Sequence, residues 1–333
     1  MRTVSLKTLK NKLSEYVRLA ASGETVVIVA HRPETTASAP RRLGEKERFM
    51  LLLIAPAAAV LVLFQILPIV IGANASFRDW QLFNPKETWI GLAHYRYILT
   101  DRVFLTLVLP NTFLLMFASV AISLVVGLGL AHVLNRTFPG RGLVQTVILL
   151  PQMIAPVIAA TSMRWTFNDQ FGVVAALLRW IGFGQMAWLA ERWPSFLIIL
   201  FTDVWIWTPW FTLILLAALK SLPREPFEAA QIDAAGRWRT FTHVTLPMLR
   251  PVIGVCVLIR SIDSFRTFDQ VWVLTGGGPA RTTEVFSIYA YIETFVNLDF
   301  GRGSAAAIIG ALIILVVAWT MYRVVDRLTN VSR

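Results

Sequence analysis

Four ionisable residues recur at every third position within an otherwise apolar stretch of the chain. They alternate in sign: Arg260, Asp263, Arg266 and Asp269. Residues three apart lie on neighbouring turns of a helix, so opposite charges at this spacing can pair along one side. Ionisable groups inside a membrane normally face a bundle interior or a water-filled cavity, so the row predicts the border of a solute pathway. The alternatives are simple mutual neutralisation, or a position of Arg266 and Asp269 at the outer interface.

A second candidate site lies earlier in the chain, where Asp203, Trp207 and Trp210 stand close together. Aromatic faces stack on apolar ring faces and polar groups bind hydroxyls, so this set suits a sugar-like ligand. The other interpretation of the tryptophans is an aromatic belt at the membrane surface. The candidate substrate-pathway residues are Asp203, Trp207, Trp210, Arg260, Asp263 and Arg266.

The sequence contains no motif for catalysis. A phosphate-binding loop requires a Gly-Lys pair, and none occurs. The four histidines, His31, His94, His132 and His243, are scattered without metal-ligand spacing. We therefore expect no catalytic residue, no metal site and no cofactor bound by this chain.

Membrane-spanning helices must position the candidate residues. Hydrophobic residues make up 56% of the chain and charged residues only 15%, which exceeds the apolar content of ordinary soluble domains. A span needs roughly 20 residues. Six segments qualify: 49–73, 106–134, 143–163, 196–219, 252–274 and 303–322. The single Cys256 excludes an internal disulfide.

The distribution of Lys and Arg predicts the orientation in the membrane. Basic residues concentrate before the first span, in the second-to-third and fourth-to-fifth connections and in the tail, whereas the opposite connections have fewer basic residues for their length. Cytoplasmic connections carry the excess of basic residues. We therefore expect a multi-pass protein of the cytoplasmic (inner) membrane of the cell with both termini cytoplasmic. The net charge of +11 is spread along membrane flanks, so no nucleic-acid partner is expected.

We call residues 220–250, between the fourth and fifth predicted spans, the polar insert. Its apolar residues recur at helical spacing: Phe227, Ala230, Ala234, Trp238 and Phe241. This pattern predicts one amphipathic helix that Pro247 ends. A helix this short cannot span a bilayer, so it lies on the membrane or in a partner's groove.

The polar insert resembles the EAA loop of permease subunits of ATP-binding-cassette importers. The pattern is Glu-Ala-Ala, three residues, Gly, nine residues, an aliphatic residue, any residue and Leu-Pro. Ala234 departs from it, because it stands where the family has glycine, and a bend that needs glycine would move to Gly236. The resemblance implies contact with an ATPase subunit through Phe227, Glu228, Ala229, Ala230, Asp233, Ala234, Gly236, Leu246 and Pro247.

Residues 45–328 resemble the sugar-importing branch of these permeases, notably in the segment 268–304, which contains VWVLTGGGPARTTEVFSIYAYIETFVNLDFGRGS from residue 271 onward. The resemblance implies an all-α, type I importer permease fold with six transmembrane helices and no enzymatic activity of its own. It also implies four kinds of partner: a second permease, two ATPase subunits that hold ATP and Mg²⁺, an extracytoplasmic solute-binding protein and a sugar. A secondary transporter driven by an ion gradient remains the alternative. The sugar and the permease pairing stay open.

The first 33 residues form a separate arm. Periodicity predicts strands at 3–6 and 25–30 and a helix at 7–21. This short α/β-like arm resembles the N-terminal part of Phd/YefM-type antitoxins, but the match stops before such a domain is complete. We expect a fused fragment or a misassigned start rather than DNA binding or a membrane-anchored regulator. Residues 34–48 are a basic cytoplasmic linker, and the transmembrane domain covers 49–328.

Overall fold

The computed structural model describes residues 2–5, 26–29, 45–83, 87–182 and 187–330. By its internal contacts the chain divides into two compact units, Met1–Gln65 and Ile66–Arg333. The domain boundaries expected from the sequence, at residues 33 and 48, stay predictions.

In the first unit two short strands pair in parallel. Strand β1 (Arg2–Ser5) lies beside β2 (Val26–Val29), with Arg2 opposite Val26. Both strands agree with the predicted ones to within one residue. The predicted helix 7–21 lies outside the described residues. Helix α1 (Glu45–Leu61) follows, and a π-helical stretch, Val62–Ile66, joins it to α2 (Leu67–Ala75) of the next unit.

The second unit is built almost entirely of helices. Its long helices are α4 (Leu109–Leu134), α8 (Arg192–Ser221), α11 (Leu246–Phe265) and α14 (Phe300–Asn330). The shorter ones are α3 (Ala93–Thr100), α5 (Arg141–Met153), α6 (Pro156–Thr166), α7 (Val173–Trp180), α9 (Glu225–Ile232), α10 (Arg237–Thr240), α12 (Asp269–Leu274) and α13 (Phe286–Tyr291). A two-residue antiparallel pair, β3 (Arg78–Asp79) and β4 (Thr88–Trp89), lies between α2 and α3. Within the described ranges, five helices are long and apolar enough to cross a membrane, and α5 with α6 makes a sixth, bent candidate.

Helices α4 and α8 pack closely and form the centre of the second unit. Gly127 of α4 permits this approach, because a Cβ added there would lie 2.6 Å from the Cβ of Phe211 on α8. Small residues allow helix backbones to approach in a membrane, where van der Waals packing drives association. Helix α11 packs against α4 and α14, and the free thiol of Cys256 is buried in this contact region.

The third predicted span, 143–163, is not one continuous helix. Helices α5 and α6 meet at 97° across a break of two residues. Ala155 is extended, with ψ of 136°, because the ring of Pro156 disfavours a helical conformation at the preceding residue. The break directs α6 against α12, where the Arg164 Nη1 donates to the Val273 carbonyl at 2.9 Å.

Three of the prolines that lie inside continuous helical paths share one local arrangement. Pro68, Pro110 and Pro247 each follow a π-helical stretch by two residues; these stretches are Val62–Ile66, Phe104–Val108 and Phe241–Thr245. A proline ring clashes with the carbonyl four residues earlier and leaves it without its N–H donor. The wider π turn accommodates both effects, so the helix continues.

The fifth span is therefore displaced from its predicted position. It runs from Arg237 through α10, the π-helical stretch and α11 to Phe265. The prediction of 252–274 was wrong at both ends. The span begins earlier than predicted because Pro247 does not end the helix. It ends earlier than predicted at Phe265, although neither glycine nor proline marks the break between Phe265 and Asp269.

The connection between α12 and α13 is held rigidly against α4. Asn111 Nδ2 of α4 donates to the Thr282 carbonyl at 2.8 Å, and Arg281 Nη2 donates to the buried carboxylate of Glu284 at 2.9 Å. These hydrogen bonds from Arg281 to Glu284 raise the pKa of the guanidinium above its usual value. The connection thus fixes the position of α12 relative to α4.

The α4–α8 contact predicts opposite outcomes for the same substitution at two glycines. Gly127→Ala places a methyl group against Phe211 and should lower the free energy of unfolding by about 1–3 kcal/mol through overpacking. Gly129→Ala, two residues along, meets nothing within 4 Å and should be neutral or stabilising, because alanine favours a helix over glycine. Thermal unfolding of each variant in detergent measures the difference. Equal melting temperatures would contradict close packing at Gly127.

Candidate functional site

A buried ion pair joins three helices near the middle of the second unit. Asp203 of α8 and Arg260 of α11 are 0% and 1% exposed. The Arg260 Nη2 and the hydroxyl of Ser119 on α4 both donate to Asp203 Oδ2. We call these three residues, Ser119, Asp203 and Arg260, the buried ion cluster. It ties α4, α8 and α11 together.

Charged side chains continue from the buried ion cluster towards solvent. Arg260 Nη1 donates to Asp263 Oδ2 at 3.1 Å, and Arg266 Nη2 donates to Asp263 Oδ1 at 3.4 Å. Side-chain exposure rises from 1% at Arg260 to 35% at Asp263 and 67% at Arg266. The guanidinium of Arg260 also lies 4.4 Å from the ring centroid of Trp207, a distance suited to cation–π attraction.

The predicted row of four charges is only partly correct. Arg260, Asp263 and Arg266 pair as the three-residue spacing predicts. Asp269 does not extend the row, because α11 ends at Phe265 and Asp269 begins α12. Its carboxylate occupies the first turn of that helix, where the helix dipole favours a negative charge.

A cavity of about 350 Å³ opens beside these charges. We call it the polar cavity; its lining combines an indole, two carboxylates, a guanidinium and an amide. The lining residues are Pro156, Trp207, Asp263, Arg266, Thr267, Phe268, Asp269 and Gln270. The breaks before α6 and before α12 create this space, since both helices begin at its wall.

The structure brings together five of the six predicted substrate-pathway residues. Trp207, Asp263 and Arg266 line the polar cavity, and Asp203 and Arg260 lie behind them in the buried ion cluster. Trp210 is not part of the lining; its ring lies behind Trp207, with centroids 6.5 Å apart, and packs into the apolar core beside Phe211, with centroids 5.1 Å apart. Along the described part of the chain, no group of three or more metal-ligating side chains is present.

Sequence analysis missed Ser119 and Gln270. Ser119 is 0% and Gln270 is 4% exposed, and each is a polar residue in a largely apolar helix. A polar residue within an apolar run is a weak signal, because such side chains commonly bond to their own helix, as Thr202 does to the Ile198 carbonyl at 2.7 Å. Only the fold shows that Ser119 reaches another helix.

The polar insert contains two helices rather than the single predicted one. Helix α9 (Glu225–Ile232) begins with Glu225 and Pro226, which suit a first turn. It ends in a left-handed turn at Ala234, with φ of 50°, and the Ala235 N–H donates to the Ala230 carbonyl at 2.9 Å. This six-to-one hydrogen bond is the Schellman closure of a helix.

The break corrects two predictions about the polar insert. The apolar face from Phe227 to Phe241 is not continuous, since Ala234 lies in the turn and Trp238 on the next helix. Nor does the bend move to Gly236, which has φ of −62°. Alanine therefore adopts the left-handed conformation at the position where the resembling family carries glycine.

Ala234→Gly should relieve backbone strain in this turn. A non-glycine residue in the left-handed region costs roughly 1–2 kcal/mol, which the larger unfolded-state entropy of glycine offsets in part. Local hydrogen exchange of the amides in α9 should therefore slow or stay equal. Gly236→Ala is the matched control, because its φ suits alanine and nothing lies within 4 Å of the added Cβ. Faster exchange in Ala234→Gly alone would refute the assigned turn.

Comparison with known proteins agrees with this architecture. The sequence profile of the binding-protein-dependent transport system inner membrane component family matches residues 123–330. The trehalose/maltose transport system permease protein MalF of Thermococcus litoralis is 35% identical over 268 residues, 79% of this chain and 89% of that protein. The trehalose transport system permease protein SugA of Mycobacterium tuberculosis is 38% identical over 269 residues, 80% of this chain and 85% of that protein.

A solved structure has the same fold. A chain of a bacterial ABC transporter involved in the import of the acidic polysaccharide alginate superposes with a TM-score of 0.75 at 26% identity, over 85% of this chain and 96% of that one. The helical permease fold that the sequence predicted is thus confirmed. The antitoxin resemblance of residues 1–33 is not borne out by these matches. With a family profile covering more than half of the chain and relatives matching four fifths of it, the protein belongs to the inner membrane components of binding-protein-dependent transport systems.

Proposed function

We propose that this chain is the permease subunit of an ATP-driven importer and that its polar cavity forms part of the path of a neutral sugar. The observation that carries the proposal is the polar cavity itself, because it places Trp207 beside carboxylate, guanidinium and amide groups within an apolar bundle. Such a combination suits a ligand with apolar ring faces and hydroxyl groups. The names of the relatives, which include trehalose, maltose and diacetylchitobiose permeases, support a sugar.

The charges of the polar cavity favour an uncharged solute. Asp263 and Asp269 contribute two negative charges to the lining and Arg266 one positive charge, and the Asp203–Arg260 pair behind it is neutral. An anionic solute would meet a net negative surface in a low-dielectric setting. We therefore propose a substrate unlike the acidic polysaccharide named for the alginate transporter.

The energy for transport would come from partner subunits. We propose that a second permease completes the pathway, that an extracytoplasmic solute-binding protein delivers the sugar, and that two ATPase subunits carry ATP and Mg²⁺. This chain itself would bind no cofactor and perform no catalysis. Both termini and the polar insert would be cytoplasmic, as the distribution of basic residues favours, and α9 would dock into an ATPase subunit.

An ion-gradient-driven secondary transporter is the second candidate. The buried ion cluster favours it, because paired ionisable groups at membrane depth also occur in proton relays. Uptake into vesicles reconstituted with the partner subunits distinguishes the two mechanisms. Uptake that requires ATP and persists when an ionophore collapses the ion gradients supports the importer, whereas uptake that follows the gradient without ATP supports the secondary transporter.

Two of the four tryptophans of α8, Trp207 and Trp205, should respond differently to truncation. Trp207→Ala removes an aromatic face from the polar cavity and should raise the half-saturating sugar concentration several-fold, since stacking contributes roughly 1 kcal/mol per ring. Trp205→Ala is the matched control, because Trp205 is not part of the lining; it should lower thermal stability but leave the half-saturating concentration unchanged. Uptake of radiolabelled trehalose, maltose and diacetylchitobiose measures both. An equal effect of the two variants on substrate concentration dependence would argue against the cavity as the sugar path.

Docking of α9 predicts a position-specific loss of coupling. Ile232 is 86% exposed, and an apolar side chain this exposed on the docking helix suits burial by a partner. Ile232→Glu should reduce substrate-stimulated ATP hydrolysis at least tenfold while the permease still inserts into the membrane. Gln231→Glu adds the same charge one residue earlier, on another side of the helix, and should have little effect. Unchanged stimulation in Ile232→Glu would contradict docking through this face.

A further inference from the structure

A second cavity lies between α4 and the fifth span, apart from the polar cavity. We call it the apolar groove; its volume is about 730 Å³. Its walls are almost wholly apolar: Leu124, Val125, Leu128 and Gly129 on α4 face Phe241, Leu246 and Ile253 on the fifth span, and His132, Arg237 and Trp238 complete the lining. No part of the proposed sugar path uses these residues.

The length of the apolar groove matches one leaflet of a bilayer. From Leu124 to His132 the α4 wall extends about 12 Å at 1.5 Å per residue, close to half of the ~30 Å hydrocarbon core. From Arg237 to Ile253 the other wall extends about 24 Å, close to half of a bilayer that includes its headgroups. A partner helix that crossed the whole ~30 Å core would extend well beyond the shorter wall. An acyl chain with its headgroup fits.

The polar end of the apolar groove carries a positive charge. Arg237 makes no ion pair and no side-chain hydrogen bond with any residue that the structure describes. Trp238 beside it is 76% exposed and stacks near Phe241, with ring centroids 5.9 Å apart. An exposed tryptophan and an unpaired arginine at the end of a span are typical of the headgroup region, and a juxtamembrane arginine attracts anionic lipid.

We propose that the apolar groove binds one anionic phospholipid, with an acyl chain between α4 and α11 and the phosphate paired with Arg237. In this proposal lipid, rather than a protein segment, fills the apolar groove. The bound lipid would cover the junction where the polar insert becomes the fifth span. This site depends on the membrane location of the chain and not on the identity of the transported solute.

Photocrosslinking in nanodiscs tests the proposal. The assembled transporter is reconstituted with phosphatidylglycerol or phosphatidylcholine that carries a photoactivatable group on the acyl chain, and labelled peptides are mapped by mass spectrometry. Labelling of residues 124–132 and 246–253 should be at least fivefold stronger with phosphatidylglycerol. Equal labelling by the two lipids would overturn the anionic selectivity.

Two pairs of variants separate the walls of the apolar groove from its charge. Gly129→Leu fills the groove from a position with nothing within 4 Å and should reduce labelling at least fivefold, whereas Gly142→Leu, equally unobstructed but outside the lining, should not. Arg237→Gln should abolish the preference for phosphatidylglycerol, and Arg239→Gln, which removes a neighbouring charge outside the lining, should retain it.

The remaining outcomes count against the proposal. Unchanged labelling in Gly129→Leu would show that lipid does not enter the apolar groove. Loss of a co-purifying second permease in Gly129→Leu, without any loss of lipid labelling, would identify the groove as a contact between subunits. Sugar uptake is measured separately, so a transport defect does not affect either result.

Discussion

The pairing of Asp203 with Arg260 is the constraint on which the arrangement of the bundle depends. Both side chains are removed from solvent, and removing one partner of such a pair typically costs about 3–5 kcal/mol because the other charge is left buried and unpaired. Ser119 donates to the same carboxylate oxygen, so α4, α8 and α11 must stay in register. The polar cavity lies on the side of this cluster where Asp263 and Arg266 reach solvent.

Long spans and charge pairs could be predicted from the sequence because each has a strong signal. An apolar run of span length has few alternatives, and charges three residues apart on a helix must meet. Arg260, Asp263 and Arg266 follow this rule. Asp203 was identified as a polar residue within an apolar span, but its partner was not, since 57 residues separate it from Arg260 and only the packing of α8 on α11 brings them together.

The breaks in the helices were harder to predict. An apolar sequence is compatible with a straight span, a bent pair or a buried short helix. In 143–163 Pro156 marks the break, but 252–274 contains no proline or glycine between Phe265 and Asp269 to mark where the path turns. Proline has two different outcomes: Pro156 begins a new helix after a break, whereas Pro247 follows a π-helical stretch and the helix continues through it. Ala234 illustrates the same limit, because its positive φ comes from the closure of α9 rather than from the preference of alanine.

The corrected fifth span connects the two halves of the proposed mechanism. A continuous helical path from Arg237 to Phe265 extends about 43 Å at 1.5 Å per residue, with the polar insert at one end and Arg260, Asp263 and the polar cavity at the other. The turn at Ala234, closed by the hydrogen bond from the Ala235 N–H to the Ala230 carbonyl, joins this path to α9. In the proposed importer, a displacement of α9 would therefore reach the polar cavity through one helix. The buried ion cluster sets the resistance to that motion, since α11 cannot shift against α4 and α8 without straining the contacts of Arg260 with Asp203 and Ser119.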